Sequence, residues 1–94
     1  VKDMTTEIIR EKCFENLHHE IPYNIAIRIV KFDELAKPIP KIHAEILVPR
    51  DSHRPIVIGK GAEVIKKIGM ESRKEIEKLM GEKVFLDINV VVRE

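Results

Sequence analysis

The sequence predicts an α+β fold in which helices cover one face of a three-stranded mixed sheet. Two segments between residues 23 and 48 alternate apolar and polar residues, and a third alternates strictly near the end of the chain. Helical periodicity precedes the first of these segments and separates the second from the third. The chain has 94 residues, which is enough for one domain with a modest core.

The first helix is predicted to begin at a cap formed by Thr5 or Thr6 and to continue to about His19. Apolar residues recur at every fourth position along it, as on a helix with one buried side: Ile9, Cys13 and Leu17. Pro22 follows closely and is expected to end this element.

Two strands are predicted next, the first from Tyr23 to Phe32 and the second from Lys41 to Val48. Each has apolar residues at alternate positions: Ile25, Ile27 and Ile29 in the first, and Ile42, Ala44, Ile46 and Val48 in the second. The loop over residues 33–40 contains Pro38 and Pro40. The two strands are expected to pair as a hairpin.

Asp51 or Ser52 is predicted to cap a short helical turn that has Pro55 near its first positions. A long helix should follow from Ala62 to Met80, with Gly81 as its C-cap. Its predicted inner face has seven members: Ala62, Ile65, Ile68, Gly69, Ser72, Ile76 and Leu79. Two of these, Gly69 and Ser72, are small, so a neighbouring element can approach closely there.

The last strand is predicted from Val84 to Val92, with apolar residues at every second position. Because helices join it to the second strand, those two strands should be parallel and connected by a right-handed crossover. The hairpin and the crossover together predict a sheet of mixed direction.

The formal net charge is only +1, so the overall charge does not indicate a nucleic-acid partner. The region from residue 50 to residue 67 is nevertheless basic: it has Arg50, Arg54, Lys60, Lys66 and Lys67 against Asp51 and Glu63. A local basic patch attracts anions even on a nearly neutral domain. The single cysteine excludes an internal disulfide, and the spacings of the four histidines fit no zinc pattern.

The most informative segment is the glycine loop, Ile58-Gly59-Lys60-Gly61-Ala62, which precedes the long helix. Glycine lets a backbone approach a ligand closely, and the following helix N-terminus offers free N–H groups to phosphate oxygens. The loop lacks the G-x-x-x-x-G-K-[ST] pattern of mononucleotide-binding loops. It also fails the G-x-G-x-x-G dinucleotide pattern, because Val64 stands at the third glycine position.

The loop matches instead the KH signature, in which an I-G-x-x-G loop between two helices clamps the backbone of about four nucleotides of RNA. The predicted order α-β-β-α-α-β is that of the type II KH domain. Rival RNA-binding folds stack bases on exposed aromatic residues, and only 4% of this chain is aromatic.

Beyond the loop, the chain resembles the C-terminal KH domain of the bacterial Era GTPases. The matching segments follow the family's order over nearly the whole chain: residues 7–12, 20–23, 50–52, 58–61, 66–69, 73, 76–77 and 83–86. The resemblance implies binding to the 3′ end of 16S rRNA in the 30S subunit, during ribosome assembly. It also implies that these 94 residues are one KH domain of a larger protein, whose GTPase domain binds GTP and magnesium.

Because the chain lacks a P-loop and a zinc spacing, we expect it to have no catalytic residues and no cofactor or metal of its own. The parent protein is expected in the cytoplasm, and the family also suggests peripheral membrane association.

The RNA-binding residues are expected in and around the loop: Arg54, Ile58, Gly59, Lys60, Gly61, Ala62, Ile65, Lys66 and Lys67. Lys60 is the best candidate for a phosphate contact. A purely structural interpretation stands beside each of these, with the glycines as a tight turn, the helix lysines as a solvated face and Ile65 as core. Lys37 and Lys41 either contact RNA from the loop between the first two strands or are simply solvated.

The loop departs from the family pattern at its last position, where Ala62 replaces the usual glycine. Alanine favours a helix by up to ~1 kcal/mol relative to glycine, but its methyl group crowds a bound phosphate. An alternative hypothesis is therefore that the KH scaffold is a protein-interaction or regulatory module with weakened RNA binding.

Overall fold

The computed structural model describes residues 2–18 and 21–93, and it confirms the predicted α+β architecture. The helices are α1 (Lys2–Asn16), α2 (Arg54–Ile58) and α3 (Glu63–Met80), and the strands are β1 (Ala26–Asp33), β2 (Lys41–Val48) and β3 (Phe85–Val92). Single 3-10 turns cover Ile21–Tyr23, Asp51–His53 and Lys60–Ala62.

The sheet has the order β1-β2-β3, so the second strand in sequence is the central one. β1 pairs with β2 in antiparallel orientation, with Ile27 opposite Ile46. β3 pairs with β2 in parallel, from Lys41 opposite Phe85 to Val48 opposite Val92. The hairpin and the parallel crossover are thus both confirmed. A bulge interrupts β1 between Ile29 and Lys31, where the register shifts.

One face of the sheet is buried and the other is open. The even-numbered residues of β2 are all buried, while the odd-numbered ones are partly or fully exposed. Their partners in β3 continue the same face, which makes the apolar residues of both strands one surface. The opposite face combines polar residues with an exposed Phe85, and it contains an ion pair between Arg28 of β1 and Glu45 of β2.

All three helices cover the apolar face. The main cluster of buried residues combines side chains from each of them with the sheet: Ile9, Cys13, Leu17, Val57, Ile68, Ala44, Ile46, Val48 and Val90 are among its members. α1 and α3 pack side by side, and the Nδ2 atom of Asn16 donates to Oε1 of Glu71 across this contact at 2.8 Å. Ser72 is fully buried in α3, as its predicted position on the inner face requires.

The start of α1 differs from the prediction. The helix begins at Lys2, and Thr5 is a fully buried residue within it rather than a cap. Thr6 is also helical, and its hydroxyl donates to the Lys2 carbonyl at 3.2 Å, the bond from residue i to residue i−4 that threonine makes inside helices. The predicted end near His19 lies outside the described residues.

The start of β1 was also predicted wrongly. Tyr23 belongs to a 3-10 turn closed by a bond from the Asn24 N–H to the Ile21 carbonyl at 3.1 Å, and the strand begins at Ala26. The alternation of apolar residues extended across this turn because Ile25 is buried just before the strand. Tyr23 instead packs its ring edge-on against Phe14 of α1, with ring centroids 5.2 Å apart.

The predicted side-chain cap at Asp51 or Ser52 is not formed. Both residues lie in a 3-10 turn that leads directly into α2, and the cap position of α2 is His53, whose side chain makes no capping bond. The backbone supplies the turn instead, because the His53 N–H donates to the Arg50 carbonyl at 3.0 Å. Pro55 does lie in the first positions of α2, as predicted.

The predicted C-cap of α3 is confirmed. Gly81 has φ 73° and ψ 20°, and its N–H donates to the Glu77 carbonyl at 2.8 Å. The Glu77 side chain also accepts a bond from the Val84 N–H at 3.0 Å, which ties the start of the last strand to the helix. Within the described residues, no helix has the length and apolar content needed to cross a membrane.

The core position of α1 predicts a large effect for Ile9→Ala. Ile9 is fully buried, so truncation should lower the free energy of unfolding by about 2–5 kcal/mol. Glu7→Ala, on the exposed side of the same helix, should change it by less than about 0.5 kcal/mol. Chemical denaturation of both variants measures the difference, and equal effects would contradict the packing of α1 on the sheet.

The buried thiol predicts slow alkylation and an alkaline loss of stability. Burial raises the pKa of Cys13 to about 12 against an ordinary value of 9.0, and the charge of Arg10 opposes this only in part. The folded thiol therefore stays neutral where the unfolded one ionises, so the free energy of unfolding should fall as the pH rises from about 9 towards about 12. Iodoacetamide at pH 8.5 should react about a hundredfold more slowly than with the chain in guanidinium, and equal rates would contradict the burial.

Candidate nucleic-acid interface

The glycine loop departs from right-handed backbone at three residues. Gly59 has φ 78° and ψ 170°, a region open essentially to glycine alone. Gly61 has φ 62° and ψ 25°, and Ala62 has φ 63° and ψ 21°, so two consecutive residues are left-handed. The Ala62 N–H donates to the Gly59 carbonyl at 3.1 Å and closes the loop. The result is a sharp reversal between α2 and α3.

Gly59 is required for a second reason, which is space. A Cβ atom at this position would lie 2.5 Å from Cγ2 and 2.9 Å from the backbone nitrogen of Val64. Gly61 differs, because a Cβ atom there would meet nothing within 4 Å. The first glycine therefore holds the loop against α3, while the second leaves open space beside the backbone that a ligand can approach.

The conformation of Ala62 corrects the predicted start of the long helix. The sequence placed Ala62 as its first residue, where alanine would be favourable, but α3 begins at Glu63 and Ala62 is the left-handed residue before it. A glycine at this position would adopt the same backbone without strain. The glycine that the KH signature has at this position thus has a backbone reason, and alanine keeps the same path.

One groove runs beside the loop, and we call it the loop groove. Its lining residues come from the turn before α2, from α2 and from the loop: Asp51, Arg54, Pro55, Ile58, Gly59 and Lys60. Arg54 lies 3.7 Å from the carboxylate of Asp51, which offsets part of its charge. Lys60 is exposed and has no ion pair within the described part of the chain. Four of the predicted site residues line this groove. Lys60 is the one whose positive charge is not offset by a described carboxylate.

A second groove lies between α3 and β3, and we call it the helix–strand groove. It is lined by eight residues: Ile65, Lys66, Gly69, Met70, Arg73, Leu86, Asp87 and Ile88. Ile65 and Lys66 were predicted from the sequence as site residues, and the other six were not. The available signal was helical spacing, since Lys66, Met70 and Arg73 are separated by four and three residues and share one face of α3. Lys67 lines neither groove.

Gly69 forms part of this groove rather than of a helix contact. The prediction that a neighbouring element approaches Gly69 closely was wrong, because a Cβ atom there would meet nothing within 4 Å. The missing side chain instead leaves the groove open between Lys66 and Arg73. Of the two small residues on the predicted inner face, only Ser72 is buried as predicted.

The opposite wall of the groove is β3, an edge strand that pairs only with β2 among the described strands. The Phe85 N–H donates to the Pro40 carbonyl at 2.9 Å, and the Arg93 N–H donates to the Val48 carbonyl at 2.6 Å, so odd-numbered residues of β3 face β2. In a parallel ladder the intervening residues point their N–H and C=O groups the other way. Leu86 and Ile88 therefore present backbone donors and acceptors to the groove.

The carboxylate of Asp87 is engaged on the open face of the sheet. Its Oδ2 atom lies 3.4 Å from Nδ1 of His43 on the neighbouring strand and accepts a bond from Asn89 at 3.3 Å. No carboxylate other than Asp87 is found among the described residues of the helix–strand groove. Lys66 and Arg73 thus set the charge of its helical wall.

Lys37 and Lys41 line neither groove. Lys41 is exposed at the first position of β2, opposite Phe85, and Lys37 precedes the cis-proline Pro38 in the loop between β1 and β2. Their contact with RNA stays a prediction.

The loop geometry predicts opposite effects for two substitutions. Gly59→Ala introduces both a clash and a strained φ, so it should lower the free energy of unfolding by about 2 kcal/mol or more. Ala62→Gly relieves left-handed strain and should raise it by about 0.5–1 kcal/mol. Gly61→Ala, left-handed but in open space, should fall between them, and any other order in urea unfolding would contradict the described backbone.

A sequence profile of the KH domain matches residues 20–94. Curated relatives include the GTPase Era of Trichlorobacter lovleyi, 43% identical over 93 residues, and that of Thermotoga maritima, 45% identical over 91 residues. These alignments cover 99% and 97% of this chain but 31% and 30% of the relatives. The chain thus spans about a third of the length of the curated relatives it matches.

Solved structures agree with the sequence relatives. Aquifex aeolicus Era, a variant bound to GDP and AlF4⁻, matches with a TM-score of 0.90 and 33% identity over 96% of this chain and 31% of that one. Era in complex with MgGDPNP and nucleotides 1506–1542 of 16S ribosomal RNA matches with a TM-score of 0.88 and 35% identity over 95% of this chain and 30% of that one. The chain therefore belongs to the KH domain family, and in sequence and fold it is similar to the C-terminal KH domain of the bacterial GTPase Era.

Proposed function

We propose that this chain binds single-stranded RNA, with the glycine loop on the sugar–phosphate backbone and the bases in the helix–strand groove. The observation that carries the proposal is the loop itself, a left-handed reversal with open space at Gly61 and, at Lys60, a cation that pairs with none of the described carboxylates. Such a loop between two helices is the part of a KH domain that clamps about four nucleotides.

The two grooves supply complementary contacts. In this proposal Lys60, which lines the loop groove, contacts phosphate oxygens, and such contacts fix the position of a nucleic acid without reading its sequence. The helix–strand groove has an aliphatic residue, Ile65, and the free backbone groups of Leu86 and Ile88, which can hydrogen-bond base edges. An unstacked single strand exposes the Watson–Crick edges of its bases, whereas a duplex uses those edges for pairing.

The RNA we propose is the 3′ end of 16S rRNA in the 30S subunit. Support comes from the similar Era structure solved with nucleotides 1506–1542 of 16S ribosomal RNA. We further propose that these 94 residues form one non-catalytic KH domain of a cytoplasmic protein that assists small-subunit assembly. GTP and magnesium would belong to a GTPase domain elsewhere in that protein, as the names and ligands of the relatives suggest.

The alternative, a KH scaffold with weakened RNA binding, rested on Ala62. Because Ala62 has φ 63° and ψ 21°, the loop follows the backbone path that a glycine would take. The remaining cost is one methyl group at the edge of the loop. If that methyl group prevented RNA binding, the unaltered chain would fail to bind RNA and Ala62→Gly would bind it. Comparing the RNA affinity of the two proteins therefore separates the RNA-binding function from the alternative.

Reversal of one loop charge should weaken RNA binding. Lys60→Glu is expected to lower affinity for the 3′-terminal segment of 16S rRNA by about tenfold or more, because it removes a phosphate contact and adds repulsion. Fluorescence anisotropy at several salt concentrations measures this, and the slope of log K against log salt should become shallower by about 0.7 or more.

Lys31→Glu is the matched control. It makes the same charge change at an exposed residue of β1, at the opposite edge of the sheet from β3. Its affinity should stay within about twofold of the unaltered chain. Equal losses in the two variants would show a non-specific charge effect, and no salt-dependent binding by the unaltered chain would overturn the proposed function.

A further inference from the structure

Asp87 borders two surfaces of the domain, the helix–strand groove and the open face of the sheet. It lies on β3, and its side chain is 41% exposed. On the open face its Oδ2 atom is 3.4 Å from Nδ1 of His43, which is directly opposite on β2. In the groove it lies across from the helical wall that contains Lys66 and Arg73. This one carboxylate can therefore pair with a histidine on one side or with cations on the other.

The two cations of the helical wall are available to such a carboxylate. Neither Lys66 nor Arg73 forms an ion pair within the described part of the chain. A carboxylate on their side of β3 would attract both cations and repel the phosphates of an RNA strand. The position of the Asp87 side chain therefore decides how much positive charge the groove offers to RNA.

Contacts on the open face hold Asp87 away from those cations. The side chain of Asn89 donates to Oδ2 of Asp87 at 3.3 Å. The His43 ring packs beside the Phe85 ring, with ring centroids 5.7 Å apart. A neutral imidazole has a proton on Nδ1 in only one of its two tautomers, whereas a protonated one donates from both nitrogens and adds a positive charge. The hold of His43 on Asp87 is thus strongest when the ring is protonated.

The other charged residues around His43 leave Asp87 as its partner. Three of them face it from the same side of the sheet, one opposite on β1 and two at neighbouring positions of β2: Lys31, Lys41 and Glu45. Glu45 already accepts a bond from the Arg28 side chain at 2.8 Å. The helices lie on the other face of the sheet, so among the described elements only the strands bring charge near His43.

We propose that His43 is a positioning residue for RNA binding, which holds the Asp87 carboxylate on the open face and holds it more firmly once its ring is protonated. The proposal rests on the proposed function, since it concerns RNA in the helix–strand groove. Histidine changes charge between about pH 5 and pH 8. A lower pH strengthens the pair and leaves Lys66 and Arg73 to the phosphates. RNA affinity therefore falls as the pH rises through this range.

The test measures fluorescence anisotropy with the 3′-terminal segment of 16S rRNA at constant ionic strength. The unaltered chain should bind about threefold more tightly at about pH 6 than at about pH 8. His43→Ala should bind about threefold less tightly than the unaltered chain at about pH 6, with no response to pH. His43→Gln keeps a donor but cannot gain a proton, so it should match the unaltered chain at about pH 8 and stay at that affinity.

Asp87→Asn tests whether His43 acts through the carboxylate. This variant should bind at about pH 8 at least as tightly as the unaltered chain does at about pH 6, because the competing charge is gone. Adding His43→Ala to Asp87→Asn should change the affinity by less than about 1.5-fold. His18→Gln is the matched control, since it removes an exposed histidine beyond the end of α1 and should keep the full pH response.

Three outcomes would overturn the proposal. The first is an RNA affinity of the unaltered chain that does not change with pH. The second is an undiminished pH response in Asp87→Asn, which would mean that His43 acts by its own charge. The third is an equal loss from His43→Ala with and without the Asp87 charge, which would mean a merely structural role.

The variants should keep the fold because both side chains are partly exposed, and amide spectra check this directly. Failure of the proposed function looks different from failure of this inference. In that case no protein of the set, the unaltered chain included, would show salt-dependent RNA binding at either pH.

Discussion

The close approach of the Gly59 backbone to Val64 is the contact on which the candidate site depends. A Cβ atom on Gly59 would lie only 2.5 Å from Cγ2 of Val64. The end of α2 can therefore approach the start of α3 this closely only because Gly59 lacks a side chain. The reversal places Lys60 and Gly61 at the outside of the turn. It also sets the N-terminal half of α3 beside β3, where the helix–strand groove forms.

A chain with a net charge of +1 can bind an anion because its positive and negative charges are unevenly distributed along the chain. Along α1, Lys12 is held by carboxylates: burial lowers its pKa, but hydrogen bonds and charges from Glu15 and Glu11 outweigh that effect and raise it. The cations of the grooves are placed differently, since Lys60 and Lys66 have no such partners within the described residues. Glu11 and Glu15 of α1 thus pair away from the grooves, while Lys60 and Lys66 keep unpaired charges beside the loop within the described residues.

The fold was largely predictable, and the errors have a common cause. Alternation and helical spacing identified every strand and the two long helices, because burial on one side gives a periodic pattern. Element ends were less reliable: Tyr23 fitted the alternation but lies in a 3-10 turn, and Thr5 fitted a cap but is buried inside α1. Such ends depend on local backbone bonds and on contacts with other elements. Gly69 was misread for the same reason, since the sequence cannot show that its neighbouring space is empty.

The sequence by itself determined the fold class, the order of the elements, the glycine loop and most of its neighbouring cations, because these follow from periodicity and from residue types at fixed spacing. Only the tertiary structure decided which distant residues join them. Arg73 reaches the site because α3 packs beside β3, and Leu86 and Ile88 contribute backbone groups because β3 is an edge strand. The same holds for Ala62, whose left-handed backbone is imposed by the reversal between two packed helices, against the helical preference of alanine.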